Sequence, residues 1–87
     1  MNSEVKVMIS KEVCVLKDMG ADIIPYLVQS ACHYEATLYI EDEGKNINMK
    51  SIMGMTILQL HKGRSFVLVA DGVDEQKAVE ELSMCFE

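Results

Sequence analysis

The spacing of apolar residues changes between period two and helical period along this 87-residue chain, which predicts a mixed fold of strands and helices. Val5, Val7 and Ile9 recur at every second position, as in a half-buried strand. A second apolar patch at residues 13–16 follows after Lys11 and Glu12. Either one long, bent strand covers both patches, or only one of them is the first strand.

An amphipathic helix is predicted next, because apolar residues recur at i, i+3, i+4, i+7 and i+8. These residues are Ile24, Leu27, Val28, Ala31 and Cys32. Asp22 is expected to cap this helix, which places Pro25 in the first turn, where its missing N–H costs little. The helix should end near residues 33–34.

The second half of the chain predicts a hairpin, a short helix, a strand and a final helix. Residues 37–49 form the hairpin, with its turn at 42–44 and Gly44 able to take positive φ. Ser51 is a natural N-cap for the short helix, which residues 62–63 close. Residues 66–70 form the last strand, and Asp74 caps a helix whose apolar face is Ala78, Val79, Leu82 and Cys85 or Phe86.

The predicted order β-α-β-β-α-β-α indicates an α+β fold, in which a four-stranded antiparallel sheet is covered by helices on one face only. The length indicates a single domain over residues 1–87. A composition of 49% hydrophobic and 25% charged residues is that of a globular chain and argues against disorder.

The net charge of −6 argues against nucleic acid and anionic lipid as partners, since both carry negative charge. No apolar run approaches the roughly 20 residues of a membrane span, and the N-terminus lacks signal-peptide character, so we expect a cytoplasmic protein without membrane insertion. Cys14, Cys32 and Cys85 form no zinc pattern and are expected to be reduced thiols, at least two of them buried. We expect no metal and no cofactor.

Three segments resemble HPr proteins, the small phosphocarriers of the bacterial sugar phosphotransferase system. Residues 48–63, NMKSIMGMTILQLHKG, resemble the regulatory-serine region of the family, and KSIMG at residues 50–54 is especially close. Residues 25–50 are similar to the family's first helix and hairpin, and residues 69–82 to its last strand, turn and final helix. The resemblance needs no gap, covers about three quarters of the chain and implies an HPr-like open-faced β-sandwich.

The resemblance also implies two phosphorylation sites, and the first one is changed in this chain. The family carries a histidine in a G-[IL]-H-A-R-P-A stretch at the start of the first helix. Without gaps, the histidine position is Gly20, the arginine position is Asp22 and the proline position is Ile23. Glycine offers no nucleophile, and aspartate places negative charge where the phosphate would sit. We therefore expect neither a histidine phosphocarrier nor an enzyme.

Three other residues carry side chains that can accept a phosphate, namely His33, His61 and Asp22. Each of them also has an ordinary structural role. His33 lies near the end of the first helix and His61 just before a turn, so neither is expected at a helix N-terminus. Asp22 as an acyl-phosphate acceptor is less expected than Asp22 as a helix cap. About five extra residues, relative to family members, fall between Val5 and Gly20. The loop that the resemblance implies would dock against the phosphodonor protein is therefore expected to differ in length as well.

The second phosphorylation site that the resemblance implies, the regulatory serine, is unchanged in this chain. Ser51 has the same neighbours as the family's regulatory serine, namely Lys50, Ile52, Met53 and Gly54. The resemblance implies that these neighbours contact partner proteins. Either Ser51 is phosphorylated by an HPr kinase, or it is only an N-cap; the sequence leaves both open.

The prediction for the whole chain is a regulatory protein of sugar transport and carbon catabolite control. It would switch through Ser51 and bind a transcriptional regulator or an enzyme. The alternative is a repurposed protein-binding or assembly module without phosphorylation, in which residues 10–23 form a new interface. The oligomeric state is left open.

Overall fold

The computed structural model describes residues 8–87, which form four strands and three α-helices in the predicted order. The elements are β1 (Ile9–Cys14), α1 (Ile23–Ala31), β2 (Thr37–Asp42), β3 (Lys45–Asn48), α2 (Ile52–Met55), β4 (Ser65–Asp71) and α3 (Glu75–Ser83). A short 3₁₀-helix, Met84–Phe86, follows α3.

The strands form one antiparallel sheet in the order β1-β4-β2-β3, so β4 is central and β1 lies at an edge. β1 runs without interruption from Ile9, which pairs with Ala70, to Cys14, which pairs with Ser65. The strand thus connects Ile9, the last residue of the first apolar patch, to Val13 and Cys14 of the second patch. Val5 and Val7 lie outside the described residues.

The helices cover one face of the sheet, as the α+β prediction requires. Alternate strand residues are buried in a core with apolar residues of all three helices. The strand residues buried in this core are Val13, Leu38, Ile40, Ile47, Phe66, Leu68 and Ala70. Val69 is also buried, at 3% exposure, but it lies outside this core, between Leu68 and Ala70. The other face carries exposed polar residues such as Glu12, Glu41 and Asn46. The period-two pattern of the strands is the direct cause of this one-sided core.

The β2–β3 hairpin closes through Glu43 and Gly44, which have φ of 53° and 81°. Positive φ at both central residues is the mark of a type I′ turn, whose twist matches that of the strands. The prediction for Gly44 is therefore confirmed. Asp42 ends β2 and binds Arg64 at 2.5 Å.

Helix α2 is shorter than the sequence predicts. It ends at Met55, and residues 58–61 have no regular structure. Leu58 and Leu60 are buried while Gln59 and His61 are exposed, an alternation that belongs to extended chain and not to a helix. A hydrogen bond from Met19 N to Leu60 O, at 3.0 Å, holds this segment in place.

Two further predictions are wrong. Cys14 and Cys32 are exposed and Cys85 is half-buried, because Cys14 lies on the uncovered side of β1 and Cys32 follows the last residue of α1. Asp74 stands at the N-cap position of α3 but makes no side-chain cap. Its carboxylate accepts hydrogen bonds from Glu35 N and Ala36 N, both at 2.9 Å.

Candidate functional site

Ser51 is the N-cap of α2, as predicted. Its backbone is extended, with φ −110° and ψ 118°, and its Oγ accepts a hydrogen bond from Gly54 N at 3.1 Å. A capping serine of this kind contributes about 1 kcal/mol of stability relative to alanine. Ser51 is half-buried, so the hydroxyl combines a structural role with access to the surface.

Lys50 is tied to the segment that follows α1. Its N–H donates to Asn48 Oδ1 at 2.9 Å, and its Nζ donates to the carbonyl oxygen of Tyr34 at 2.7 Å. The hydrogen bond from Nζ therefore fixes the Lys50 side chain against the segment that follows α1.

The residues that follow Ser51 expose apolar side chains. Met53 is 82% exposed, Ile57 59% and Ile52 45%, whereas Met55 is fully buried and anchors the helix in the core. We call Ile52, Met53 and Ile57 the α2 patch. Exposed apolar residues grouped in this way are typical of protein interaction sites.

Gly20, which the ungapped resemblance aligns with the family's histidine, lies just before α1. The chain enters the helix through a turn, in which Ile23 N donates to Gly20 O at 3.2 Å and Ile24 N to Ala21 O at 3.1 Å. Asp22 is at the N-cap position, but its side chain makes no cap hydrogen bond, so the expected capping role is wrong. A Cβ on residue 20 would lie 2.9 Å from Asp22 Oδ1, so the carboxylate lies against the bare backbone of Gly20.

The loop between β1 and α1 is held by hydrogen bonds to residues 60–64. Val15 N donates to Arg64 O at 2.8 Å, and Gly63 N donates to Val15 O at 2.9 Å. The Asp18 carboxylate accepts from Lys62 N at 2.7 Å. These contacts hold the chain that precedes Gly20 against the segment that leads into β4.

A cavity of about 420 Å³ lies between Gly20 and the segment that follows Ser51. One wall is built from residues around the start of α1, including Gly20 and Ile24, and the other from Ile52 and the chain after α2. His61 lines the same cavity as Gly20. That these two residues lie at one site was not predicted from the sequence. His33, by contrast, lies beyond the C-terminus of α1, at the opposite end of that helix.

Tyr34 and Glu81 form a second polar contact that the sequence does not signal. The Tyr34 hydroxyl donates to Glu81 Oε1. The hydrogen bond to a carboxylate, together with burial, raises the pKa of Tyr34 to about 12. Burial also raises the pKa of the Cys85 thiol.

Within residues 8–87, no three His, Cys, Asp or Glu side chains are grouped so that they could hold a metal ion. No helix in this part of the chain is long and apolar enough to span a membrane.

Comparison with known proteins identifies the family. The model of the HPr component phosphorylation site of the phosphotransferase system matches residues 4–87, and the chain therefore belongs to the HPr family. The HPr-like protein Crh of Halalkalibacterium halodurans is 38% identical over 77 residues, which cover 86% of this chain and 92% of Crh. Crh of Bacillus subtilis is 36% identical over 78 residues, covering 87% and 92% of the two chains.

Solved structures show the same fold. The phosphocarrier protein HPr of Bacillus anthracis superposes with a TM-score of 0.84 at 32% identity, covering 92% of this chain and 98% of that protein. Crh of Bacillus subtilis, solved as a dimer with a swapped domain, gives a TM-score of 0.68 at 31% identity, covering 95% and 88%. The resemblance and the fold predicted from the sequence are both confirmed.

Proposed function

We propose that this chain is a regulatory HPr-family protein of the sugar phosphotransferase system, which acts by binding other proteins and is switched at Ser51. The observation that carries the proposal is the position of Ser51, a surface-accessible hydroxyl directly before the exposed Ile52 and Met53. Residues 1–87 would work as a single cytoplasmic domain and would catalyse no reaction of their own.

Phosphorylation of Ser51 would change the α2 patch strongly. The phosphate adds a charge of roughly −1.5 to −2 and three acceptor oxygens directly beside apolar side chains. A partner that binds the unmodified patch through Met53 would lose apolar contact. A partner with arginines near the patch would gain charge-assisted hydrogen bonds to the phosphate. Candidate partners are an HPr kinase and a transcriptional regulator or enzyme that distinguishes the two forms through Lys50, Ile52, Met53 and Gly54.

The residues at the family's histidine position oppose a carrier role. Gly20 offers no side chain, and the Asp22 carboxylate lies next to it. A phosphodianion in this place would meet a like charge instead of the arginine of the family pattern. We propose that regulation through Ser51 persists in this chain while phosphate transfer through a histidine is lost.

The test is incubation with ATP and a bacterial HPr kinase, followed by intact-mass spectrometry and peptide mapping. We expect one acid-stable phosphate on Ser51 and none on the Ser51→Ala variant. Thr56→Ala, which alters an exposed hydroxyl five residues away, should be phosphorylated like the wild type. Absence of phosphate, or phosphate on another residue, would contradict the proposal.

A second candidate function is assembly without phosphorylation. β1 lies at the edge of the sheet, and an edge strand offers unpaired backbone groups to another chain. The swapped dimer of Crh shows that a relative at 31% identity can assemble. An unphosphorylated chain that forms a dimer in multi-angle light scattering would favour this function.

A further inference from the structure

The cavity beside Gly20 is continuous with the α2 patch, because Ile52 belongs to both. Three nearly buried side chains contribute to its lining: Ile24, Leu58 and Leu60 are only 5%, 6% and 4% exposed. Met19 and Pro25 add further apolar surface. At about 420 Å³, the cavity has the size at which proteins hold compact apolar groups.

The charge next to this cavity is negative. Asp22 is exposed, and among residues 8–87 it takes part in no ion pair and caps no backbone N–H. Its Oδ1 lies against Gly20, which lines the cavity. The HPr pattern has an arginine at this position, so the local charge is reversed in this chain. A partner suited to the family's arginine would be repelled by Asp22, and a cationic partner would be attracted.

We infer that the cavity receives an apolar side chain of a protein partner that carries a lysine or arginine beside it, positioned to pair with Asp22. This inference rests on the proposed function in one respect, namely that the chain acts by binding proteins. A protein is favoured over a small metabolite because the apolar surface extends beyond the cavity over Met53, which is 82% exposed. Asp22 would thus select the partner, while the cavity supplies the apolar contact.

The inference is tested with two probes of similar shape and opposite charge, 2-phenylethylammonium and phenylacetate. Each is titrated into ¹⁵N-labelled protein, and backbone amide shifts are followed by NMR. We expect both probes to shift the amides of Gly20, Leu58 and Leu60, with the cation binding roughly two- to fivefold more tightly, as one exposed charge pair allows.

Three variants separate the effect of the Asp22 charge on probe binding from the effect of the cavity. Asp22→Asn should remove the preference for the cation, and Asp22→Arg should reverse it in favour of phenylacetate. Ala21→Trp, at an exposed position that lines the cavity, should block both probes. Glu12→Gln is the matched control, because it removes one carboxylate from the opposite face of the sheet and should leave the preference unchanged.

Binding of neither probe, or a preference that Asp22→Arg does not reverse, would overturn the inference. Neither result depends on a kinase. A failure here would therefore leave phosphorylation of Ser51 intact, and a failure of phosphorylation would leave the probe preference intact.

Discussion

Tyr34 and Glu81 are 47 residues apart in the sequence, yet their side chains are hydrogen-bonded. Contacts of this kind have no local signal, which is why the sequence predicted the capping role of Ser51 but not the contact between Tyr34 and Glu81. The capping role of Ser51 depends only on its position before a short helix, so one segment of sequence contains all the information. Asp22 satisfies the same rule and still makes no cap, since its side chain lies against Gly20 instead.

The raised pKa of Tyr34 predicts how stability changes with alkaline pH. Because the folded pKa of about 12 exceeds the ordinary value of 10.0, the stabilisation from this hydroxyl is complete below pH 10 and is lost as pH rises towards 12. In a spectrophotometric titration, we expect one of the three tyrosines to ionise near pH 12. Glu81→Ala should lower this pKa towards 10, and Tyr34→Phe should remove the late step. A late step that survives Tyr34→Phe would contradict the assignment.

At the scale of elements, the turn from β4 to α3 is packed tightly against the start of β2. A Cβ on Gly72 would lie 2.6 Å from Ala36 Cα, and the neighbouring Asp74 carboxylate binds Glu35 N and Ala36 N. Sequence reasoning located the turn but gave Asp74 the role of a helix cap. The actual partners of Asp74 are backbone groups 38 and 39 residues away, which only the folded chain brings near.

Gly72→Ala should therefore destabilise the protein by about 1–3 kcal/mol, the usual cost of forcing an extra methyl group into a packed site. Urea denaturation followed by circular dichroism measures the change in the free energy of unfolding. Val73→Ala is the matched control: Val73 is 88% exposed in the same turn, so its substitution should change little. Equal stability of Gly72→Ala and the wild type would show that the turn adjusts more freely than the structure indicates.

At the scale of the whole molecule, element order, sheet type and the one-sided core were predictable because each element carries its own hydrophobic period. The length of α2 and the exposure of Cys32 were not, because both depend on where a helix ends against the core. The exposure of Cys14 depends instead on the face of β1 that it occupies. The cavity that joins Gly20, Ile52 and His61 is a property of the assembled fold alone. Gly20, the residue that the ungapped resemblance aligns with the family's histidine, thus belongs to a larger, mostly apolar surface.

The central claim is that this surface binds protein partners and that the chain does not carry phosphate on a histidine. The most direct measurement is incubation with phosphoenolpyruvate and enzyme I, followed by intact-mass spectrometry at neutral pH. We expect no phosphate on the wild type and an acid-labile phosphate on the double variant Gly20→His with Asp22→Arg, since it restores both the nucleophile and the cation. Phosphate on the wild type, for example on His61 across the cavity, would contradict the claim.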